Sequence, residues 1–525
     1  MRWLVLFGIV WGGGMVGVFG EEAAYLEDFE FIRETVGESG AAVEVRGVDW
    51  EKWCDEMRPR FVSATSDGEH VANVMRLLAV LEDSHTNVTQ STVAWDELPS
   101  KWDGLYGGGM LFGWEDGRVM LRGVMAGHPL EGKVSPGMVL VGIGGEPVRE
   151  VLARDRERVA EFSGISRWEQ FYAVAANRLL PFGEAHELEL VFMDEEGKET
   201  TVETLRWGPE GKPFVPWDLE LPDGVVWAEG AVGTMLEYSW CSKVGYLRIT
   251  GSMDEATVKA FNEVFDSLEG MEALILDCRW MGGGSDFSAW AMAGRFFEKG
   301  VENGPYEKLG PEGAWQFTGP VVLLQDETMV SSAETFAWAM TETGRAVSVG
   351  QSTGGWGIIP KGFECPSGLV SFRLGVNHRP TPITKKLTEG VGWPAMIEVP
   401  YGVRFCAWGD FVREIGTEVL GLLYAGMERE EVVALFGELF RGEYREYMEG
   451  VRAAGDVVKG WDGAALGKRV REDLEATLEM ELAMLEVEGA DLEGSRRRLG
   501  KLGAVGKAGG FGELVERWER ALREF

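Results

Sequence analysis

Residues 320–357 read PVVLLQDETMVSSAETFAWAMTETGRAVSVGQSTGGWG. The apolar run at 321–324 has the length and β-branched character of a buried strand, and a polar turn follows it. Phe336, Ala339 and Met340 then recur at helical spacing as far as Gly344, which is typical of a C-terminal cap. The pattern predicts a strand, a turn, a helix and a second strand at 346–349.

Two serines, Ser331 and Ser332, stand where the predicted helix begins. A hydroxyl at a strand-to-helix turn lies beside unsatisfied N–H groups and the positive end of the helix dipole, where an acyl-transfer nucleophile is well placed. The alternative is a capping box, with Ser331 as N-cap and Glu334 three residues later. The two roles are compatible, so other segments must decide between them.

The composition limits the classes of partner. The chain has 525 residues, which predicts about three domains. It carries 51 Lys and Arg against 86 Asp and Glu, a formal net charge of -35. Such an acidic surface argues against nucleic acid and against anionic membranes as partners.

The first residues have the composition of a secretory signal peptide. One positive charge at Arg2 precedes an apolar, glycine-rich stretch, and small residues stand at Val18 and Gly20. This pattern predicts a signal peptide over 1–20, cleaved near Gly20, and hence a secreted or periplasmic protein. An uncleaved membrane anchor is the alternative, although the glycines at 12–14 make a poor membrane helix.

The five cysteines are scattered along the chain: Cys54, Cys241, Cys278, Cys365 and Cys406. They show no CxxC spacing, and an odd number cannot all pair within one chain. Cys278 lies in an apolar strand pattern and is predicted to be a core residue, while a disulfide among the others stays open. Because the sequence shows no metal-ligand spacing, no metal or other cofactor is expected.

Residues 21–103 are predicted to form an N-terminal helical subdomain with two apolar helix faces. The faces carry Tyr25, Phe29, Ile32 and Val36, and then Val71, Val74, Met75, Leu78 and Leu81. The second helix stops before His85, which is therefore predicted to lie in a turn. Taken alone, a histidine in a turn is more often a structural hydrogen-bonding residue than a catalyst.

Residues 104–207 change to short strands and turns that end in a predicted hairpin, 187–192 with 200–205. The order of these strands resembles a PDZ domain of the bacterial protease type, which adds a peptide as an extra strand and holds its C-terminal carboxylate. The resemblance assigns the peptide-binding loop to Gly108, Gly109, Met110 and Leu111. Met138 stands where that family commonly has Asp, so peptide affinity does not follow from the fold.

Residues 208–407 are predicted to alternate between strands and helices. The predicted strands are 246–249, 273–276, 321–324 and 346–349. Asp254 and Ser285 are predicted to cap the helices that follow the first two strands. Such alternation implies a largely parallel sheet, with functional residues at the C-terminal ends of its strands.

Residues 408–525 are predicted to form a C-terminal helical region. Leucines recur at helical spacing, first at 474–485 and then at 514–522, among many Glu and Arg. Stripes of this kind are usually core, so this region is assigned to packing or self-association and not to chemistry.

Several short segments, taken in order, resemble one family. They are 81–86 (LEDSHT), the PDZ-like insert, 276–284 (LDCRWMGGG), 331–334 (SSAE) with 350–355 (GQSTGG), and 389–394 (EGVGWP) with 397–400 (IEVP). Over residues 24 to about 402 the chain resembles a serine peptidase of the C-terminal processing protease and tricorn-core family, which includes the tail-specific proteases. The resemblance implies an α/β fold with a crotonase/ClpP-like parallel-sheet core, to which the helical subdomain, the PDZ-like insert and the C-terminal helices are attached.

The family has two catalytic designs. The processing proteases pair the serine with a lysine that would fall at position 356, where this chain has Trp356. A Ser–Lys dyad is therefore not expected, and Lys361 is interpreted as a solvated or structural lysine.

The tricorn-like design pairs the serine with a histidine that a second serine and a glutamate support. The resemblance assigns Ser331 as nucleophile, His85 as general base and then acid, and Ser84 with Glu389 as residues that orient the histidine. This set is chemically complete, because a serine hydroxyl needs a base, a neutral imidazole is suited to that role, and a carboxylate-linked partner fixes the tautomer.

The resemblance also points to an oxyanion hole made by backbone N–H groups. They belong to Ser332 and to Gly283 or Gly284, where missing side chains let the backbone come close. Ser332 is the alternative nucleophile, and the Ser-x-x-Glu spacing to Glu334 favours Ser331.

The expected function is a serine endopeptidase that acts on unstructured or C-terminal peptide segments, so its partners are peptides and unfolded proteins. The alternative is an inactive relative that binds peptides, because Met281, Trp356 and 394–397 (PAMI) depart from the family pattern. A structural role carried by the C-terminal helices is a third hypothesis.

Overall fold

The structure is a computed structural model that describes most of the chain before residue 438. The described residues are 16–98, 110–115, 118–124, 128–135, 138–176, 187–194, 197–205, 225–228, 232–235, 238, 243–298, 313, 315–378, 380–399, 411–437, 516–517 and 520. The first part of the predicted signal peptide, Gly108, Gly109, Cys241, Cys406 and the predicted leucine stripes lie outside these residues.

Ten α-helices are bounded in the described part of the chain. They are α1 (Val16–Ser39), α2 (Ala41–Arg46), α3 (Trp50–Val62), α4 (Asp67–Ala79), α5 (Val148–Phe162), α6 (Trp168–Ala176), α7 (Glu255–Asp266), α8 (Asp286–Gly294), α9 (Ser332–Glu342) and α10 (Phe411–Tyr424). Among the described residues, no helix combines the length and the apolar composition needed to span a bilayer.

The strands bounded in the same residues form four sheets. They are β1 (Asn87–Ser91), β2 (Met110–Glu115), β3 (Arg118–Val124), β4 (Val139–Ile143), β5 (Glu146–Pro147), β6 (Glu187–Met193), β7 (Glu199–Leu205), β8 (Val226–Ala228), β9 (Val232–Met235), β10 (Val244–Ile249), β11 (Gly251–Met253), β12 (Ala273–Asp277), β13 (Met281–Gly284), β14 (Val321–Gln325), β15 (Val347–Gly350), β16 (Ile358–Glu364), β17 (Val370–His378) and β18 (Ile397–Glu398).

The chain divides into two compact units. The first comprises Met1–Trp102, Asp155–Ser166 and Ile358–Arg379, and the second comprises the remaining residues. The domain boundaries expected from the sequence stay a prediction.

The first unit packs α1, α2 and α4 against a three-stranded sheet in the order β1-β17-β16, and α3 packs against α1 and α4. Its core contains both predicted helix faces, and Phe29, Ile32, Val36, Val71, Val74, Leu78 and Leu81 are at most 1% exposed. Burial of this apolar surface is what holds the short helices together. The predicted amphipathic helices are therefore confirmed.

The second unit is built on a seven-stranded sheet in the order β18-β15-β14-β12-β10-β9-β8. The five strands from β18 to β10 run parallel, and β9 and β8 are antiparallel at one edge. One face packs against α7, α8 and α9, and the other packs against α10. The predicted parallel-sheet core is confirmed, because all four predicted strands lie in it.

The predicted helix ends in this unit are also confirmed. Asp254 caps α7, and its side chain accepts a hydrogen bond from the Thr257 N–H at 2.8 Å. Ser285 is the N-cap of α8. Gly344 follows the end of α9 at φ 74°, a left-handed conformation that glycine adopts without strain.

A second sheet in this unit has the order β2-β3-β4-β6-β7, with β5 paired to β4. The predicted hairpin is present, because β6 pairs antiparallel with β7 from Glu187–Leu205 to Met193–Glu199. β2 is an edge strand, and Met110 and Leu111 are buried at its start. Their assignment to a peptide-binding loop, and the PDZ-like identity of this sheet, stay predictions.

Three cysteines lie within the described residues. Cys54, Cys278 and Cys365 are buried free thiols. Cys278 is part of the core that covers one face of the seven-stranded sheet, as predicted. The described residues contain no group of three or more His, Cys, Asp or Glu side chains arranged to hold a metal ion.

Candidate active site

Ser331 lies at the turn between β14 and α9. It is the N-cap of α9, and its backbone has φ 58° and ψ -125°. A non-glycine residue in that region costs about 1–3 kcal/mol, so the surrounding contacts must hold it there. The predicted strand-to-helix turn is confirmed, and its strain falls on the predicted nucleophile.

The Glu334 carboxylate holds this turn in place. It accepts hydrogen bonds from the Ser331 N–H at 2.9 Å, the Thr353 hydroxyl at 2.5 Å, the Gly355 N–H at 2.9 Å and the Trp356 N–H at 2.7 Å. Burial raises the pKa of Glu334, while these donors act in the opposite direction. The capping spacing identified Glu334 from the sequence, but the contacts with 353–356 carried no local signal.

The glycine strand β13 lies directly against Ser331. A Cβ atom at Gly283 would come within 2.4 Å of the Ser331 Cβ and 2.8 Å of its Oγ. At Gly284 a Cβ would come within 2.3 Å of the Met253 carbonyl oxygen. Only glycine fits at either position, which agrees with the expected backbone approach.

Ser332 is engaged differently from Ser331. It is 4% exposed, and its hydroxyl donates a hydrogen bond to the Gly284 carbonyl oxygen at 2.9 Å. Ser331, by contrast, is only partly buried. The geometry thus favours Ser331 over Ser332 as the reactive hydroxyl.

A buried ion pair supports the turn that leads into β13. Asp277 and Arg279 are fully buried, and the Arg279 guanidinium donates to both carboxylate oxygens, at 2.9 and 2.6 Å. Burial would raise the pKa of Asp277, but the guanidinium groups of Arg248 and Arg279 outweigh it and hold that pKa well below its usual range. The Trp280 N–H then donates to the Thr328 hydroxyl at 2.6 Å, which ties this turn to the segment before Ser331.

Glu389 contacts the same loop that Glu334 holds. Its side chain is 7% exposed, and it accepts a hydrogen bond from the Gly357 N–H at 2.8 Å. A Cβ at Gly357 would lie 2.4 Å from the Thr388 Oγ1 and 2.6 Å from the Glu389 nitrogen. Residues 353–357 therefore connect Glu389 with the helix that begins at the predicted nucleophile, Ser331.

His85 lies in a turn of the first unit, between α4 and β1, as predicted. Its side chain is buried, with 3% of the residue exposed. Burial, with a smaller contribution from the charge of Arg373, lowers the pKa of His85 to about 4. The imidazole is consequently neutral at neutral pH, the state in which it can accept a proton.

Asp83 holds the turn around His85. It is fully buried, and it accepts hydrogen bonds from the His85 backbone N–H at 2.9 Å and from the Thr86 hydroxyl at 2.5 Å. Its Oδ1 lies 4.0 Å from the His85 Nδ1. Burial raises the pKa of Asp83. Asp83 was not among the residues predicted from the sequence, although an acid two residues before a candidate base is a signal that points to it.

Ser84 anchors the same turn to a later segment. The Ser84 N–H donates to the Ser166 hydroxyl and the Ser166 N–H donates to the Ser84 hydroxyl, both at 2.9 Å. In the described contacts Ser84 thus fixes the backbone beside His85. Its predicted role in orienting the imidazole stays a prediction.

The predicted site residues are divided between the two units. Ser84 and His85 belong to the first unit, and Ser331 and Glu389 belong to the second. The pairing of the His85 imidazole with the Ser331 hydroxyl therefore stays a prediction.

Two positions bear on the Ser–Lys alternative. Trp356 contributes its backbone N–H to the Glu334 carboxylate. Lys361 is exposed on β16 and lies 5.1 Å from the ring centre of Phe363. These contacts agree with the interpretation of Lys361 as a solvated or structural lysine.

A comparison with protein families covers the part of the chain that contains the Ser331 turn. Residues 243–394 match the model of peptidase family S41. We call residues 243–394 the S41 domain after this match. The S41 domain includes Ser331, Glu334 and Glu389, and it does not include His85.

Two sequence relatives of the chain are named processing proteases. The chain is 32% identical over 136 residues to the carboxy-terminal processing protease CtpA of Bacillus subtilis (strain 168). This match covers 24% of this chain and 29% of that protein. The carboxyl-terminal-processing protease of Picosynechococcus sp. is 28% identical to the chain over 152 residues. That match covers 27% of this chain and 36% of the relative. The matches thus span about a third of each relative.

A solved structure shares the fold beyond the S41 domain. Mature CPAF superimposes with a TM-score of 0.55 at 15% identity, over 78% of this chain and 99% of CPAF. At 15% identity the similarity establishes the fold only. The chemistry must be argued from the residues of this chain.

Proposed function

We propose that the chain is a secreted or periplasmic serine endopeptidase that cleaves unstructured or C-terminal peptide segments. In this proposal Ser331 is the nucleophile, His85 the general base and acid, and Ser84 and Glu389 the residues that support His85. The observation that carries it is the strained turn of Ser331, with its side chain against Gly283, inside a peptidase family S41 domain.

The chemistry follows from the groups at the two turns. His85 accepts the proton of the Ser331 hydroxyl while the oxygen attacks the peptide carbonyl carbon, and it then donates that proton to the leaving amine. The negative oxygen of the tetrahedral intermediate binds to the backbone N–H groups of Ser332 and of Gly283 or Gly284. Water releases the acyl group from Ser331 in the second half of the reaction.

The relatives support the choice of substrate. Both matched proteins are named processing proteases that act at carboxyl termini. We extend that substrate class to this chain, whose acidic surface argues against nucleic acid.

Substitution of Ser331 tests the proposal. Wild-type protein should hydrolyse an unfolded protein substrate and should react with a fluorophosphonate probe, whereas Ser331→Ala should do neither. Ser332→Ala is the matched control, because it removes the neighbouring hydroxyl and should retain the reaction with the probe.

Each outcome has a distinct meaning. Probe labelling and turnover that persist in Ser331→Ala would contradict the assignment of the nucleophile. Tight binding of peptides by a wild-type protein that never forms an acyl-enzyme would favour the alternative of an inactive peptide-binding relative.

A further inference from the structure

Glu334 bonds to more of the site than a helix cap requires. Its Oε2 accepts the N–H groups of Ser331 and Trp356, and its Oε1 accepts the Thr353 hydroxyl and the Gly355 N–H. The side chain is 2% exposed, so water does not substitute for any of these partners. A cap alone would need only the Ser331 N–H.

The same loop reaches Glu389 one residue further on. The Trp356 N–H donates to Glu334, and the next N–H, of Gly357, donates to Glu389. The Gly390 N–H returns a bond to the Gly355 carbonyl oxygen at 2.9 Å. Two buried carboxylates, one on the nucleophile's helix and one in the segment predicted to support the base, thus hold adjacent amides of one loop.

We propose that Glu334 is a positioning residue that sets Ser331 and Glu389 in register through residues 355–357. The inference rests on the proposed peptidase function and adds a role that is distinct from helix capping. The proposed role also explains which residues occupy positions 355–357. Gly355 has φ 80°, Gly357 has no room for a Cβ, and Trp356 uses its backbone N–H.

The carboxylate is required because each of its oxygens accepts two hydrogen bonds. A glutamine has the same shape but only one acceptor oxygen. Its NH2 group faces either the Ser331 and Trp356 N–H donors, or the Gly355 N–H and the Thr353 hydroxyl, which can turn to accept. Glu334→Gln therefore loses either the bonds from Ser331 and Trp356 or the bond from Gly355. Glu334→Asp keeps both acceptor oxygens on a side chain shorter by one methylene.

The experiment measures kcat and KM for a short peptide ester, together with the thermal midpoint of unfolding. For Glu334→Gln we expect kcat to fall about 100-fold, as small displacements of catalytic groups do, with KM unchanged. Glu334→Asp should recover part of the lost kcat.

Glu342→Gln is the matched control. Glu342 lies at the other end of α9 and accepts the N–H groups of Ile383 and Thr384 at 3.1 and 2.9 Å, so it holds a later segment in the same way but away from Ser331. Its kcat should stay at the wild-type value even if the thermal midpoint falls. Should Glu334→Gln fail to fold, Thr353→Val removes one donor to Glu334, together with the acceptor of the Trp393 N–H, and should lower kcat in the same direction by less.

The outcomes separate this inference from the proposed function. Wild-type kcat in folded Glu334→Gln, with Ser331→Ala inactive, would overturn the positioning role alone. A fall in thermal midpoint with kcat unchanged would also overturn it, since that result describes a purely structural residue. A wild-type protein that neither turns over substrate nor reacts with a fluorophosphonate would overturn both.

Discussion

The nucleophile turn (326–334) and the imidazole turn (82–87) are both built around a buried carboxylate, yet the two carboxylates do different things. Asp83 bonds to the His85 N–H and the Thr86 hydroxyl and so closes its own turn. Glu334 bonds to Ser331 and also to residues 353–356, and so joins distant parts of the chain.

Ser331 and His85 also differ in how their surroundings act on them. Ser331 is partly buried, and its special property is a strained backbone held against Gly283. His85 is almost completely buried, and its special property is a pKa lowered to about 4. Geometry thus prepares the proposed nucleophile, whereas burial sets the protonation state of the proposed base.

The largest expected effect comes from removal of the base. His85→Ala should lower kcat/KM for a peptide ester by about 10,000-fold, the size typical of losing one member of a catalytic triad. Lys361→Ala is the control, because the Ser–Lys alternative assigns the base to a lysine. Loss of activity in Lys361→Ala with activity retained in His85→Ala would reverse the roles given to the two residues.

A smaller effect is expected from the glycine that faces the nucleophile. The Cβ of Gly283→Ala would lie 2.4 Å from the Ser331 Cβ, so Ser331 or β13 must move. We expect kcat to fall about 100-fold and the thermal midpoint to fall as well, because overpacking of this kind costs about 1–3 kcal/mol. Gly362→Ala is the matched control, since a Cβ there meets nothing within 4 Å. Equal kcat in the two variants would show that contact with Gly283 does not set the geometry of Ser331.

The smallest effect is a displacement of the pH profile. The imidazole must be neutral to accept a proton, and its pKa is lowered to about 4, so kcat/KM should rise through an acid limb near pH 4 and stay level above it. An ordinary histidine would place this limb near about 6.5. Circular dichroism at each pH separates the limb from acid unfolding. A limb near the ordinary value in folded protein would contradict the burial assigned to His85.

The sequence predicts the core well where apolar residues repeat at a regular spacing. The strands β10, β12, β14 and β15 are buried along their whole length, so mainly apolar runs identify them, although Arg248 interrupts β10 and Ser348 interrupts β15. The sheet of the first unit could not be predicted from local sequence patterns. Its pairing of β1 with β17 joins Asn87 to Arg373, and no local signal specifies such a distant partner.

In the candidate site, too, contacts between distant residues could not be predicted from the sequence. Motif resemblance assigned roles to Ser331, His85 and Glu389, because each stands in a short segment of fixed order. It could not reveal that Glu334 binds 353–356 or that Ser84 exchanges hydrogen bonds with Ser166, since those contacts depend on side-chain geometry after folding. Asp83 was missed because buried acids near turns are common in structural roles.

The central claim is that Ser331 is made nucleophilic by His85, and the rate of fluorophosphonate labelling tests it most directly. The adduct should map to the peptide that contains Ser331, and labelling should be about 1,000-fold slower in His85→Ala, because the hydroxyl then lacks its base. An adduct on another residue, or equal labelling rates in the two proteins, would contradict the account.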